Sequence, residues 1–205
     1  MKRKYELKRR AERHAQTRRR ITEATVGLHE EVGPARTTVA EIARRAGVQR
    51  LTVYNHFPEE RELFAACQAH FLRAHPPPNA SSLAAVRDPG ERLRLALRGL
   101  YGWFRETEPM SANVRRDAAL VPALGRLIEE THVPANAELR AVLARGFRAR
   151  GRARRRLEAA IALAISFWTW RSLARDGGLS DEVAAEVAAR SVEAAAAPGR
   201  PKRPG

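Results

Sequence analysis

The chain has 205 residues, of which 44% are apolar and 30% charged, a composition typical of one or two globular domains. Its 38 lysines and arginines outnumber its 23 acidic residues, which leaves a formal net charge of +15 at pH 7. Residues 1–57 carry 14 of the basic and 6 of the acidic residues, so more than half of the excess lies in about a quarter of the sequence. This distribution favours a polyanionic partner, either nucleic acid or an anionic membrane surface, that meets the N-terminal part of the chain.

The sequence argues against membrane insertion and against secretion. The longest apolar run, residues 159–170, is too short for a membrane span, which needs roughly 20 residues, and it predicts a buried helix instead. No apolar segment follows the N-terminal charges, so no secretory signal is visible. The single cysteine, Cys67, cannot form an internal disulfide, which fits a reducing compartment. We therefore expect a cytoplasmic protein with no membrane partner.

The first part of the sequence predicts a basic arm that runs into a helix. The arm comprises residues 1–14, and basic residues continue to Arg20. From Ile21 to Val32, apolar residues recur at steps of three and four, which is the period of an amphipathic helix. Gly33 and Pro34 are expected to end this helix.

A capping-box pattern predicts the start of a second, short helix. The Thr38 hydroxyl would accept a hydrogen bond from the Glu41 N–H, and the Glu41 carboxylate would reach back to the threonine N–H. The helix is therefore expected to begin at Val39 and to end near Gly47.

A third helix is predicted from Val48 or Gln49 to about His56. It has to stop by Phe57, because the residue before Pro58 is disfavoured in the α region. Pro58 itself is expected to begin a fourth helix, whose acidic first turn suits the positive end of the helix dipole.

After the three prolines 76–78, the composition becomes rich in alanine and leucine, and one helical pattern follows another. Asp88 and Pro89 are typical of an N-cap and a first helical residue. Three later prolines are expected to divide the next stretch into shorter helices: Pro109, Pro122 and Pro134.

The C-terminal part predicts two further helices. A long helix is expected from Arg152 to Asp176, closed by two glycines, and Ser180 is expected to cap a last helix that runs to about Ala195. No strand-like alternation is present, so the predicted fold class is all-α. The predicted divisions are an arm at 1–14, a three-helix helix-turn-helix domain at 15–64, a helical bundle at 65–196 and a disordered tail at 197–205.

The second and third predicted helices form a helix-turn-helix pattern. They meet at Gly47, which tolerates the backbone conformation of a tight turn, and the small Ala43 stands where the two helices must cross. Helical hairpins with a glycine in the turn also occur in proteins that never bind DNA. This pattern alone therefore leaves DNA binding and a structural hairpin equally open.

The residue types and their spacing resemble the DNA-binding domain of the TetR/AcrR family of bacterial transcriptional regulators. The resemblance extends over about residues 21–64. Beyond it, the helical C-terminal part is similar to the family in plan and not in any motif. The positions that carry the resemblance are Thr37, Thr38, Val39, Ile42, Ala43, Gly47, Val48, Thr52, Val53, Tyr54, His56, Phe57, Glu62, Leu63 and Phe64.

The resemblance implies particular DNA contacts for the second and third helices. Thr38 is expected to contact a phosphate, and Tyr54 and His56 are expected to contact the DNA backbone. Five residues are expected to face the major groove: Gln49, Arg50, Leu51, Thr52 and Asn55.

The chemistry of three of these side chains agrees with base reading. Arg50 can bind guanine O6 and N7 in a bidentate manner, Leu51 can meet a thymine methyl group, and Asn55 can pair with adenine. Many family members also carry a lysine at the start of the fourth helix that contacts phosphate, whereas this chain has Glu60 there. A carboxylate cannot make that contact, so either Arg61 or the basic arm would have to compensate for it.

The role of the arm is open at this stage. It could follow the adjacent minor groove, as N-terminal arms do in other DNA-binding proteins, or it could be a disordered charged tail.

No other chemistry is indicated by the sequence. His56 has no second ligand at metal-binding spacing, and Cys67 with His70 lacks a third, so an ordinary core cysteine is the favoured interpretation. No nucleophile motif, phosphate loop or dinucleotide fingerprint is present. We therefore expect no metal, no cofactor and no enzymatic activity.

Aromatic residues concentrate in two of the C-terminal helices. Such a stripe at helical spacing is more often core than ligand site, but the resemblance implies that a small apolar effector binds among these helices. The candidate lining residues are Phe71, Tyr101, Phe104, Met110 and Phe167.

The resemblance also implies a homodimer formed through the last two helices. The apolar run at 159–170 needs cover on more than one side, and the last helix offers small residues that permit close approach. The candidate interface residues are Ile161, Ile165, Trp168, Val183, Val187 and Ser191. A two-fold dimer would place two reading helices roughly 34 to 36 Å apart on a near-palindromic operator.

The combined interpretation is a homodimeric DNA-binding transcriptional regulator, expected to act as a repressor that a small-molecule effector releases from double-stranded DNA. The main alternative is a non-specific architectural nucleic-acid-binding protein that depends on the net charge. A small-molecule enzyme is a weaker alternative, because the sequence offers no set of acid, base and nucleophile.

Overall fold

The computed structural model describes residues 2–197, and the side chains from residue 5 onward. Within this range every regular element is a helix, which confirms the predicted all-α fold class. The predicted tail lies outside the described residues except for Ala197. The elements are α1 (Lys2–Glu31), a 3-10 turn (Pro34–Arg36), α2 (Val39–Ala46), α3 (Arg50–His56), α4 (Glu60–Ala74), α5 (Ala80–Ala84), α6 (Pro89–Glu106), α7 (Glu108–Asp117), α8 (Pro122–Ala144), α9 (Gly151–Ala164), α10 (Phe167–Arg171), a π turn (Ser172–Asp176) and α11 (Asp181–Ala196).

The helices divide into two compact units. The first contains the chain up to Pro76 together with Pro109–Thr131, and the second contains Pro77–Glu108 together with the chain from His132 onward. The first unit is therefore larger than the predicted helix-turn-helix domain, because it includes all of α4, most of α7 and the first part of α8. The functional division near residue 64 stays a prediction.

The core of the first unit forms between α1, α2, α3 and α4. Ile21, Ile42 and Val53 are each at most 3% exposed, and they supply one side chain from each of the first three helices. Small residues at Ala43 and Ala46 let α2 lie close to its neighbours. These contacts fix the orientation of α3, whose opposite side stays in solvent.

The helix α7 is tied to the C-terminal end of α1. The side-chain amide of Asn113 donates to the carbonyl oxygens of His29 and Glu30, each at 2.9 Å. The buried carboxylate of Asp117 accepts a hydrogen bond from the Ala35 N–H at 3.0 Å. Further along, Phe64 of α4 packs with Leu124 and Leu127 of α8, together with Ala123. The additional segment of the first unit is therefore attached by both polar and apolar contacts.

The second unit is built on α6, α9 and α11. Buried alanines on α11 allow that helix to approach both α6 and α9 closely. The guanidinium of Arg94 on α6 binds two glutamates of α11, Glu186 at 2.9 Å and Glu193 at 2.6 Å. The Trp170 indole N–H donates to Asp181 at 2.9 Å, so α10 is also joined to the start of α11.

Most predicted helix ends are confirmed. Gly33 and Pro34 follow the end of α1, the Asp88 carboxylate accepts from the Glu91 N–H at 2.7 Å, and the Ser180 hydroxyl accepts from the Val183 N–H at 3.3 Å. The start of α4 is two residues later than predicted, since Pro58 lies before the N-cap Glu59.

Two predicted helix boundaries are wrong. The helix expected from Arg152 to Asp176 is broken after Ala164, because the Ser166 hydroxyl accepts from the Trp168 N–H at 3.3 Å and starts a new helix. Pro134 does not divide α8, which continues from Pro122 to Ala144. The proline frees the carbonyl group four residues earlier, at the exposed Glu130, where water can satisfy it.

No helix among the described residues has both the length and the apolar character that crossing a bilayer requires.

Candidate nucleic-acid interface

The Thr38 side chain caps α2 as predicted, but the capping box is only half formed. The threonine hydroxyl accepts a hydrogen bond from the Glu41 N–H at 3.2 Å. The Glu41 carboxylate does not reach back; it binds the guanidinium of Arg44 at 2.5 and 3.0 Å. The reciprocal bond is lost because a charged partner one turn along the helix offers a stronger, charge-assisted bond. Thr38 is exposed, so its position is open to a phosphate.

The turn between α2 and α3 depends on a left-handed backbone at Gly47. Its φ of 64° and ψ of 43° place it in the region that costs other residues free energy. The Gly47 N–H donates to the Arg44 carbonyl at 3.2 Å and the Val48 N–H donates to the Ala43 carbonyl at 2.9 Å, which together form a Schellman motif. The guanidinium of Arg20 on α1 donates to the Gly47 carbonyl at 3.1 Å and to the Ala46 carbonyl. The end of α2 is thus held by the glycine and by an arginine from α1.

Replacing Gly47 with alanine is expected to destabilise the first unit by about 1 kcal/mol or somewhat more. An alanine would have to adopt the left-handed backbone, and its Cβ would lie 2.9 Å from the Arg20 guanidinium, which would be displaced. Chemical denaturation of the two proteins checks the change. Gly102 to alanine is the matched control, because it replaces a glycine inside α6 where nothing lies within 4 Å of the new Cβ. A Gly47 variant as stable as the wild type would contradict the prediction.

The helix α3 has one buried side and one exposed side. Val53 is 2% exposed and Phe57, which follows the helix, is 4% exposed, so both belong to the core. Four residues at steps of one, three and four form a continuous exposed face. We call this face the reading face; it consists of Arg50, Leu51, Tyr54 and Asn55.

The reading face has an unusual apolar member. Leu51 is 65% exposed and Tyr54 is 53% exposed. Arg50 and Asn55 stand beside them with their polar groups in solvent. The other predicted contact residues lie around this face, with Gln49 exposed at the N-cap and Thr52 and His56 half-buried on one flank.

The flank of α3 is held by residues of α1. The ring of His14 lies 4.2 Å from that of His56, and the Arg18 guanidinium lies 3.9 Å above the Phe57 ring and donates to the His56 carbonyl. Burial lowers the pKa of His56, and the neighbouring His14 and Arg18 lower it further. A neutral His56 is therefore expected at pH 7, able to offer one N–H donor to a phosphate.

The comparison with known families decides the identity of this domain. Residues 21–67 match the model described as bacterial regulatory proteins of the tetR family. Residues 21–67 are thus similar to the N-terminal domain of tetR-family regulators. The match covers α2, α3 and parts of α1 and α4, which together orient the reading face.

Two mycobacterial proteins are similar in sequence to part of the chain. An uncharacterized HTH-type transcriptional regulator of Mycobacterium bovis is 46% identical over 60 residues, which are 29% of this chain and 32% of that protein. A second, from Mycobacterium tuberculosis, is 46% identical over 52 residues, which are 25% of this chain and 28% of that protein. The chain thus matches about a third of the length of these relatives.

About 85% of the chain shares its fold with solved structures of low sequence identity. A TetR-like transcriptional regulator from Rhodococcus sp. RHA1 has a TM-score of 0.62 at 20% identity, over 86% of this chain and 93% of that one. A protein of Clostridium perfringens, proposed to regulate fatty acid metabolism, has a TM-score of 0.63 at 17% identity, over 85% and 97% of the two chains. The second unit therefore shares the fold of the C-terminal part of these structures.

Glu60 stands where many TetR-family members carry a lysine that contacts phosphate, and its neighbour Arg61 is engaged elsewhere. Glu60 is exposed at the start of α4. Its neighbour Arg61, one of the two candidates to replace the lysine, binds Glu130 of α8 in the same unit. An exposed ion pair of this kind contributes about 0 to 1 kcal/mol to stability, so a DNA phosphate could still compete with Glu130 for the arginine. In the structure, however, the guanidinium is oriented towards Glu130.

The histidines and the cysteine near this domain form no metal centre in the described part of the chain. Cys67 is 4% exposed, its thiol is 3.9 Å from the Thr22 carbonyl, and burial raises its pKa to about 12. The thiol is therefore a neutral core group at physiological pH.

The residues expected to line a TetR-family effector site are all buried, but they belong to different units. Phe71 and Met110 are in the first unit, whereas the other three are in the second. Phe104 and Phe167 stack edge to face with ring centroids 5.4 Å apart, and the Tyr101 hydroxyl donates to the Ala164 carbonyl at 2.9 Å. These three side chains form a packed aromatic cluster with Trp170.

The six residues expected at the dimer interface divide by exposure. Ile161 is completely buried and Ile165 is 9% exposed, so both pack inside their own chain, and their assignment to the interface is wrong. Four residues are exposed: Trp168, Val183, Val187 and Ser191. Leu163, which is 65% exposed on α9, was missed because the apolar run conceals which of its residues face outward.

Proposed function

We propose that this chain is a TetR-family, sequence-specific transcriptional regulator that binds double-stranded DNA as a homodimer. The observation that supports it best is the reading face, which has a bidentate donor, an amide and an apolar side chain exposed together. This combination matches the pattern of acceptors, donors and methyl groups in the major groove. A protein that binds DNA through charge alone would not require an exposed leucine and asparagine at the centre of its contact surface.

The proposed dimer forms through the exposed apolar side of α9, α10 and α11. Trp168 is 50%, Val183 49% and Val187 40% exposed, and Leu163 is a further exposed apolar side chain on α9. Large apolar side chains exposed together are typical of an interface. Helices related by a two-fold axis would bury them and present two reading faces to a near-palindromic operator.

The proposed regulation is release of the operator when a small apolar effector binds among the C-terminal helices. The aromatic cluster of the second unit offers the large apolar area that such a ligand needs. The effector would shift the population towards a state that fits the operator less well, so repression would be relieved. The cytoplasm is the expected location of such a regulator.

Selection of bound duplexes from a random DNA pool tests the proposal. We expect a near-palindromic consensus that the chain prefers over random duplex by about 10³-fold or more at physiological salt. The non-specific architectural alternative, which the net charge of +15 favours, would give no consensus and the same affinity for any duplex.

Arg50 to alanine is expected to weaken binding to the selected site about 5- to 150-fold per half-site, because one bidentate guanine contact contributes about 1 to 3 kcal/mol. The preference at one base position should relax at the same time. Arg73 to alanine is the matched control, since it removes an exposed arginine from α4, away from the reading face. Equal losses in the two variants on all duplexes would contradict base reading by Arg50.

A further inference from the structure

We infer that the N-terminal part of α1, residues 5–16, is a second DNA-binding surface that contacts phosphates beside the segment read by α3. We call these residues the extension. The inference rests on the proposed function, and it adds a contact outside the matched family domain, which begins at residue 21.

The extension is a helix without cover from its own chain. α1 continues unbroken from Lys2 to Glu31, and every residue from 5 to 16 is exposed. A rise of about 1.5 Å per residue makes the extension roughly 18 Å long. A polar helix of this length gains little from its own hydrogen bonds in water, so its stability depends on what it contacts.

Its base, where it meets the rest of α1, is fixed against the reading helix. The His14 ring lies 4.2 Å from the His56 ring and is tilted against it, and one turn later Arg18 lies 3.9 Å above Phe57 and donates to the His56 carbonyl. These contacts join the extension to the C-terminal end of α3, next to the residues expected to contact the DNA backbone. The direction of the extension is therefore set relative to the reading face.

The charges of the extension are divided between two sides of the helix. Lys8 is paired with Glu12 at 3.9 Å, and Arg19 further along the same side is paired with Glu23 at 2.8 Å. Arg10 precedes His14 by four residues and therefore lies on the side that faces α3. Neither Arg10 nor Arg13 forms an ion pair with a carboxylate in the described part of the chain. Arg9 lies over the Tyr5 ring at 5.8 Å, so Arg10 and Arg13 are the arginines of the extension that have neither a carboxylate nor a ring against them among the described residues.

The shape of the extension excludes the minor groove as its binding site. A helix with side chains is about 10 to 12 Å across, whereas the minor groove of B-DNA is about 6 Å wide. The sequence left open a flexible arm in the minor groove or a disordered tail, and a continuous helix fits neither. A membrane surface is also disfavoured, because Tyr5 and Leu7 are the only large apolar residues of the extension and form no broad apolar face.

The test compares two double variants of the full chain that remove the same charge. Arg10 and Arg13 are replaced with glutamine in one, and Lys8 and Arg19 are replaced with glutamine in the other; glutamine retains helix propensity. Affinity for the selected site and for a random duplex of equal length is measured across a range of salt concentrations. Hydroxyl-radical footprints are recorded on the selected site.

We expect the first variant to lower the slope of log K against log salt by about 1.8 per bound chain, on both duplexes, because two phosphate contacts are lost. The footprint should shorten at its outer edges while the consensus stays the same. The second variant should leave slope and footprint near the wild-type values. Equal slopes and footprints in all three proteins would overturn the inference, as would stronger binding to vesicles containing phosphatidylserine than to duplex.

Failure of the inference is distinguishable from failure of the proposed function. If the chain is not a specific regulator, the wild type itself shows no preferred duplex, yet the slope on random duplex still reports the phosphate contacts. If only the inference fails, the wild type keeps its consensus and neither double variant changes the slope. Circular dichroism of both variants excludes loss of helix as the cause.

Discussion

Replacing Phe57 with alanine is expected to lower the free energy of unfolding of the first unit by about 3 to 5 kcal/mol. The Phe57 ring is 4% exposed and packs in the core that α1, α2 and α3 share. Its loss leaves a cavity and also removes the surface on which Arg18 rests at 3.9 Å. A change of this size is a large fraction of the stability of a small domain, so the orientation of α3 would be lost together with DNA binding.

Tyr54 to alanine is the matched control for this prediction. Tyr54 lies three residues before Phe57, but it is 53% exposed on the reading face. Its removal should change stability by less than about 0.5 kcal/mol while still weakening DNA binding. All three tryptophans belong to the second unit, so their fluorescence does not report on this core. Hydrogen exchange of the α2 and α3 amides measures the change directly, and equal protection in the two variants would contradict the assignment of Phe57 to the core.

The parts of the fold that could be predicted are those determined by residues close together in the sequence. Thr38, Asp88 and Ser180 each cap the helix expected of them, and Gly47 ends α2 in a left-handed conformation. Caps and glycine turns act over three or four residues, so their signals are complete within a short stretch of sequence.

The sequence-based predictions were wrong where two local patterns overlapped or where solvent exposure and packing decided the outcome. Ser166 looked like an interior residue of a long helix, yet its hydroxyl starts a new helix in the middle of an apolar run. Pro134 looked like a boundary, but α8 continues through it at an exposed position. The burial of Ile161 depends on the neighbours that α9 meets, which no periodic pattern specifies.

The reading face was predictable in its residues, whereas its support was not. The resemblance gave the contact positions, and the helical period explains why Arg50, Leu51 and Asn55 are exposed together. Arg18 and His14 were missed because their contacts with α3 are made across about 40 residues of chain. Continuing the apolar stripe of α1 backwards from Ile21 would have indicated both positions, but charged residue types there suggested a solvent-facing arm.

Lowering the pH from 6.5 to 5 is expected to destabilise the first unit by about 2 kcal/mol through His29 alone. The His29 side chain lies in the core, 4% exposed, with its ring 5.5 Å from that of Phe64. Burial lowers its pKa from 6.5 to about 4, although the Asp117 carboxylate opposes the shift. The native state therefore keeps a neutral histidine where the unfolded chain binds a proton. The contribution of His29 to the free energy of unfolding is complete above pH 6.5 and falls as the pH drops below that value. Near pH 4 it has decreased by about 3 kcal/mol.

A His29 to leucine variant separates this effect from other acid-sensitive groups. Leucine fills the buried site without titrating, so the fall in stability between pH 6.5 and 5 should largely disappear even if the variant is less stable overall. His56 to glutamine is the comparison, since it removes the other histidine with a lowered pKa and should retain most of the fall. Hydrogen exchange of α1 and α4 at several pH values gives the measurement, because these helices carry His29 and Phe64. The same fall in the leucine variant would mean that carboxylates such as Asp117 lose their charge in this range. The backbone carbonyl of His29 accepts a hydrogen bond from the Asn113 side-chain amide of α7 at 2.9 Å. Protonation of the His29 ring would therefore also loosen the attachment of α7 to α1, the helix that supports the reading face.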